Sequence, residues 1–195
     1  MTMNFHELLE RSIKIHGHLC PGQVLGVKMA MLGMEMVGVG FQKEGRTRNL
    51  IVYVEMDRCA TDAIQSVSGC SLGHRTMKFC DYGKMAATFI NIDSGTAVRI
   101  VAREDTREKA KELFPDIDDR YEAQIQTYMA MPPAQLFDVM PVQVDISPED
   151  MPGRPLRRVQ CDQCGEYVQD MREAYRDDRI LCKACAEGTY YRLCD

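Results

Sequence analysis

Residues 85–103 read MAATFINIDSGTAVRIVAR. Two runs rich in apolar and β-branched residues, 85–92 and 96–103, flank Asp93-Ser94-Gly95, a short connection suited to a β-hairpin. A hairpin pairs its strands antiparallel, so this chain is not a simple alternation of parallel strands and helices. Upstream, residues 48–56 (RNLIVYVEM) form a strand with Leu50, Val52 and Val54 on one side. Before it come two helices. Asn4 caps the first, whose Phe5, Leu8, Leu9 and Ile13 share a face and which ends near Gly17. Pro21 opens the second, in which Gly22, Gly26 and Gly33 weaken the helix intrinsically and call for close packing against another element. From Cys59, CATDAIQSVSG is a loop entering a short helix stopped by Gly69, followed by the polar loop CSLGHRT. Downstream, EDTREKAKELF is a helix stopped by Pro115, and DRYEAQIQTYMAM one stopped by Pro132-Pro133. VMPVQVDI is a last strand, and Pro141 makes it an edge. The fold class is therefore α+β: a sheet with antiparallel pairing, packed with helices.

The segment SPEDMPGRPLRR, 147–158, carries three prolines and a glycine and reads as a linker. It separates a core domain, 1–150, from a small C-terminal piece, 159–195. The 195 residues suffice for one well-buried domain and such an appendage. The N-terminus lacks the basic region and apolar run of a signal peptide, and no apolar stretch approaches ~18 residues, so a cytoplasmic protein without a membrane span is expected. A net charge of −5 stands against the molecule as a whole binding nucleic acid. Arg154, Arg157 and Arg158 form a local basic exception that also reads as a solvated linker.

Nine cysteines in a chain with no export signal point to metal ligation or redox chemistry ahead of a disulfide framework. Four of them have a plain reading. Cys161-x2-Cys164, seventeen intervening residues and Cys182-x2-Cys185 make two knuckles whose thiolates complete a tetrahedron around one Zn2+. The piece is too small and too polar to fold on apolar burial alone, so the metal supplies its stability. CDQCGEY…LCKACAEG resembles the treble-clef zinc fingers of the DksA/TraR group, with the first pair on a hairpin and the second opening a helix. Four thiolates close the site, which makes its role structural or one of recognition.

The stretch HGHLCPG, 16–22, is different. His16, His18 and Cys20 alternate, so an extended segment projects all three to one side, just before a helix start that favours thiolate. Three ligands leave an ion open to substrate, as in reactive sites. Cys59, after a strand end, is the available fourth ligand. Cys70 fits either the same pocket or a buried structural thiol, His74 reads as a loop histidine, and Cys80 and Cys194 read as packing or tail residues.

HGHLCPGQVLGVKM, CATDAIQSVSGCSLG and DYGKMAATF, spread over residues 16–89, together resemble the FmdE family, named for a component of formylmethanofuran dehydrogenase. The resemblance covers residues 1 to about 150. It implies an α+β core, in some members followed by a zinc finger. It also implies a metal pocket built from His16, His18, Cys20 and Cys59, with Asp62 and Lys84 as polar neighbours. Nothing in the sequence resembles a molybdopterin-binding or ferredoxin-type cluster motif.

Three functions fit this pattern. The first is a metal-binding accessory protein, with a transition metal (Zn2+ or another divalent ion) at the core site and a finger that binds a protein partner or a second copy. The second is a metal-dependent or thiol-redox enzyme using the core site. The third is regulatory binding to DNA or polymerase through the finger's Arg172, Arg176 and Arg179, whose neighbours Glu173, Asp177 and Asp178 offset them. A homodimer and a small-molecule ligand are the further expectations.

Overall fold

The computed structural model describes residues 4–41 and 47–194, so the first residues read for a leader and the last residue of the finger segment lie outside it. It divides into two units, Met1–Asp145 and Ile146–Asp195. Among the described residues no helix is long and apolar enough to cross a membrane.

The first unit begins with α1 (Phe5–His16), held at its start by a reciprocal cap in which Asn4 Oδ1 accepts from the Glu7 N–H and Glu7 Oε2 from the Asn4 N–H. Gly17 ends the helix in the left-handed conformation, φ 98°, which a side chain would oppose. Then α2 (Pro21–Met36) starts with proline in its first turn. Val24, Val27, Met29, Ala30 and Met34 of this helix are fully enclosed, because α2 lies among α1, α3, α5 and the sheet. A helix apolar on every side needs such surroundings.

The sheet contains β1 (Leu50–Val54), β2 (Met77–Phe79), β3 (Ala86–Asn91), β4 (Ala97–Ala102) and β5 (Phe137–Val142), in the spatial order β2-β1-β3-β4-β5. The expected hairpin is β3–β4, antiparallel with Phe89 opposite Val98. β5 is an edge, and Pro141, opposite Val98, interrupts no interior ladder. The α+β reading holds, with one addition. β1 and β2 are parallel and joined through α3 (Cys59–Ser68), a single β-α-β unit at one side of an otherwise antiparallel sheet. α4 (Asp105–Leu113), α5 (Arg120–Ala130) and the short α6 (Pro133–Leu136) fill the connection from β4 to β5.

The glycines of α2 are contact points, as expected. A Cβ on Gly26 would lie 2.6 Å from the Ala60 carbonyl oxygen and from Ala63 Cβ in α3, and one on Gly33 would run into the Phe89 ring. Absence of a side chain lets α2 approach both elements closely, and that packing offsets the cost of glycine in a helix.

The second unit has a short helical turn at Pro148–Asp150 and two hairpins, β6 (Arg158–Gln160) with β7 (Tyr167–Gln169) and β8 (Ala174–Arg176) with β9 (Arg179–Leu181). A final helix, α7, spans Lys183–Glu187. Among its described residues only Cys161 and Leu181 are buried.

Candidate functional site

In the second unit the sulfurs of Cys161, Cys164, Cys182 and Cys185 lie within 4.8 Å of one another. The first pair follows β6, and the second sits at the cap and inside α7. Cys164 Sγ and Cys182 Sγ are 3.9 Å apart. Tetrahedral zinc with bonds of about 2.3 Å spaces its sulfurs by about 3.8 Å, so the donor set and its spacing fit that ion. The backbone N–H groups of Cys164 and Cys182 hold the Cys161 thiol down to about 6, while the Cys182 sulfur beside Cys185 pushes that thiol up to about 12. One thiolate forms easily; gathering four requires a cation among them. Two arginines of this unit are engaged locally: Arg157 with Glu173 and Tyr175, and Arg172 with Asp150.

In the first unit three helix termini converge. His16 closes α1, Cys20 caps α2, and Cys59 opens α3. One donor atom from each lies within 4.8 Å of the other two. Cys20 Sγ and His16 Nε2 are 4.0 Å apart, which one ion can bridge, because zinc–nitrogen and zinc–sulfur bonds together reach about 4.3 Å. Asp62, in the first turn of α3, sets the imidazole: its Oδ2 is 2.8 Å from His16 Nδ1, so Nδ1–H donates to the carboxylate and Nε2 faces the sulfurs. Asp62 thus stands beside one donor of the cluster.

Packing holds the two thiols together. A Cβ on Gly22 would lie 2.9 Å from Cys59 Cβ, so glycine lets the start of α2 rest on the start of α3. Gln23 is fully buried; its Nε2 donates to the Cys59 carbonyl at 2.6 Å and its Oε1 accepts from the Ser12 hydroxyl of α1. One side chain therefore ties all three helices at the donor cluster. Burial pushes the Cys20 thiol up and Cys59 adds to this, outweighing the lowering by the Gln23 and Gly22 backbone, contrary to the thiolate expected from the helix start alone.

The alternation expected to align His16, His18 and Cys20 is not what gathers them, because His16 is helical and Gly17 turns the chain. The His18 ring lies 4.7 Å from that of His16, and His18 is outside the three-donor group. Cys70 belongs to the core: it is wholly buried, its Sγ–H donates to the Leu50 carbonyl at 3.5 Å, and burial pushes it up to about 11. Lys84 is exposed, with its ammonium 5.9 Å from the Tyr82 ring, and His74 bonds Ser71. Neither Cys80 nor Cys194 joins a described donor group. A cavity of about 330 Å³ opens beside Cys20 and Cys59.

Residues 15–138 match the family model described as FmdE, molybdenum formylmethanofuran dehydrogenase operon. The chain belongs to the FmdE family. The FmdE match contains all three core donors, and residues 154–191 match the prokaryotic DksA/TraR C4-type zinc finger, which contains the cysteine tetrad. The FmdE chain is 29% identical over 211 aligned positions to a probable S-adenosyl-L-methionine-binding protein of Archaeoglobus fulgidus, an alignment covering 95% of this chain and 54% of that protein. It therefore spans about half the length of that relative. The crystal structure of a tungsten formylmethanofuran dehydrogenase FmdE-like protein from Syntrophus aciditrophicus has the same fold, with a TM-score of 0.63, 19% identity, and coverage of 97% of this chain and 96% of that one.

Proposed function

We propose that this FmdE protein is a cytoplasmic metal-binding accessory protein with two unlike ions. The core unit holds an exchangeable divalent transition metal, zinc by its donor set, on His16 Nε2, Cys20 Sγ and Cys59 Sγ. The remaining position is open to a small molecule, with His18 beside it. The finger, a treble clef in this reading, holds a structural zinc and offers its surface to a protein partner or a second copy. The observation that carries the proposal is the meeting of one imidazole nitrogen and two sulfurs within 4.8 Å, from three helix termini. Bound there, the metal would act as a Lewis acid toward whatever fills its open position. The chain's own residues orient the imidazole through Asp62 and fix the sulfurs through Gln23 and Gly22.

Metal analysis of protein purified without chelator or metal-affinity resin tests this. Two ions per chain are expected, falling to one in Cys20→Ser/Cys59→Ser. A single ion per chain, unchanged by those substitutions, ends the proposal.

The closeness of the two sulfurs also favours a second reading, in which Cys20 and Cys59 form a disulfide by thiol–disulfide exchange with a small-molecule disulfide, which takes up the two electrons and two protons and leaves as two thiols. A reduction potential near the cellular poise supports it, and inertness of the pair toward mild oxidants removes it.

A further inference from the structure

The cavity beside the core donors has a wall that metal binding does not explain. Arg58, the residue that caps α3, Arg107 of α4 and Arg120 at the start of α5 all line it, and among the described residues no carboxylate does. Arg107 is 3.3 Å from Glu104, its neighbour on the helix surface. Neither Arg58 nor Arg120 has a carboxylate partner among the described residues. Three cations from separate stretches of chain thus surround one opening in a protein whose net charge is −5. Like charges so placed repel one another, and a bound anion relieves this while supplying the planar acceptors that a guanidinium fork fits.

An independent observation comes from Gln124. It is only 7% exposed and lines the same cavity, yet its side-chain amide has no hydrogen-bond partner among the described residues. Its amide atoms are not sealed off from solvent, so they open into the cavity, where a ligand or water can meet them. Leu25 and Tyr128, both buried, complete the wall with apolar surface. The volume, about 330 Å³, is at the small end of ligand sites.

We infer that this cavity binds a small oxyanion, a carboxylate or a phosphate, carried on a compact apolar body. Arg58 and Arg120 hold the charged end, Gln124 donates to or accepts from it, and Leu25 and Tyr128 cover the body. The inference rests on the proposed core metal site only for what lies at the cavity's inner end, where Cys20 and Cys59 stand; the anion contacts are the arginines' own. It deepens that reading by giving the class of molecule that would approach the open position.

The test uses the full zinc-loaded chain and calorimetric titration at low ionic strength with three probes of similar shape: 3-phenylpropionate, phenyl phosphate and the neutral 3-phenylpropanamide. At least one of the acids is expected to bind ten-fold or more tightly than the amide, and the tighter of the two assigns carboxylate or phosphate as the natural group. Arg58→Gln/Arg120→Gln should remove the preference while leaving the thermal melt and the metal content unchanged, because both side chains are exposed. Equal binding of acids and amide, no binding of any probe, or a preference that survives the double substitution overturns the inference. The metal content of Cys20→Ser/Cys59→Ser is read separately. If it equals that of the parent while the acid preference is intact, the metal proposal fails and the anion site stands.

Discussion

The two donor clusters of this FmdE protein are held in place by opposite means. Around Cys161, Cys164, Cys182 and Cys185 there is almost nothing else to hold: of the described residues in that unit only Cys161 and Leu181 are buried, and the hairpins are three residues per strand. There the metal makes the structure. Around His16, Cys20 and Cys59 the order is reversed. Val24, Val27, Met29, Ala63 and Ile64 are fully buried in the two helices that carry its sulfurs, and Gln23 fastens the helix termini from within. There the packing alone places the donors. A site that an ion builds can be closed and inert, whereas a site built by packing can leave a position vacant without losing its shape.

Removing zinc should expose that contrast most strongly. A chelator, or Cys164→Ser, is expected to cost the finger its fold, since structural zinc contributes on the order of 10 kcal/mol to such units. Amide signals of residues 146–194 should collapse in an NMR spectrum while those of the core stay in place; retained finger signals would break the comparison. The converse perturbation is Gly26→Val, which drives a side chain into the Ala60 backbone and should cost the core about 2 kcal/mol. Its thermal midpoint should fall and core metal should be lost, with the finger's zinc unaffected. Asp62→Asn is expected to weaken core metal affinity about 10- to 100-fold in a competition titration, with no shift in the thermal midpoint. A subtler measurement concerns protons. Because the zinc-free finger lacks the fold that lowers Cys161, its four thiols stand near the ordinary value of about 8.5, and zinc binding at pH 7 should release close to four protons, read from calorimetry in buffers of different ionisation enthalpy. The smallest effect belongs to Lys28, whose ammonium donates to the carbonyls of Met129 and Met131 and which burial lowers to about 8. Between pH 8 and about 10.4 the unfolded chain binds more protons at this lysine than the folded one, so core stability gains with rising pH over that window, and Lys28→Met should flatten the slope of a denaturant-midpoint series.

Much of the fold was legible where a residue type has a single structural use. Asn4, Pro21 and Gly69 mark helix ends, Asp93-Ser94-Gly95 a hairpin, and Pro141 an edge, and each does so in the structure. β2 escaped because three residues carry no periodicity and its partner, β1, pairs with it in parallel across α3. α6 escaped because Pro132-Pro133 reads as a stop, although proline is also tolerated in a helix's first turn, as here. At the core site, side-chain chemistry singled out His16, His18, Cys20 and Cys59, and the structure gathers all of these but His18, because the turn at Gly17 breaks the expected alternation. The bond from Asp62 to His16 and the roles of Gln23 and Gly22 depend on where three helices meet. Arg58, Arg107 and Arg120 come from three elements far apart in sequence and have no motif, so only the fold brings them to one cavity.

The contact that sets Gly22 against Cys59 has one more consequence. Because a helix-to-helix seam and not a pliable loop fixes how far apart the two sulfurs stand, the protein cannot readily widen or narrow their separation to suit its guest. With the proposed metal bound, the cluster would work as a gauge of ionic radius, and filling position 22 with a larger residue should change which cation is preferred before it changes the fold.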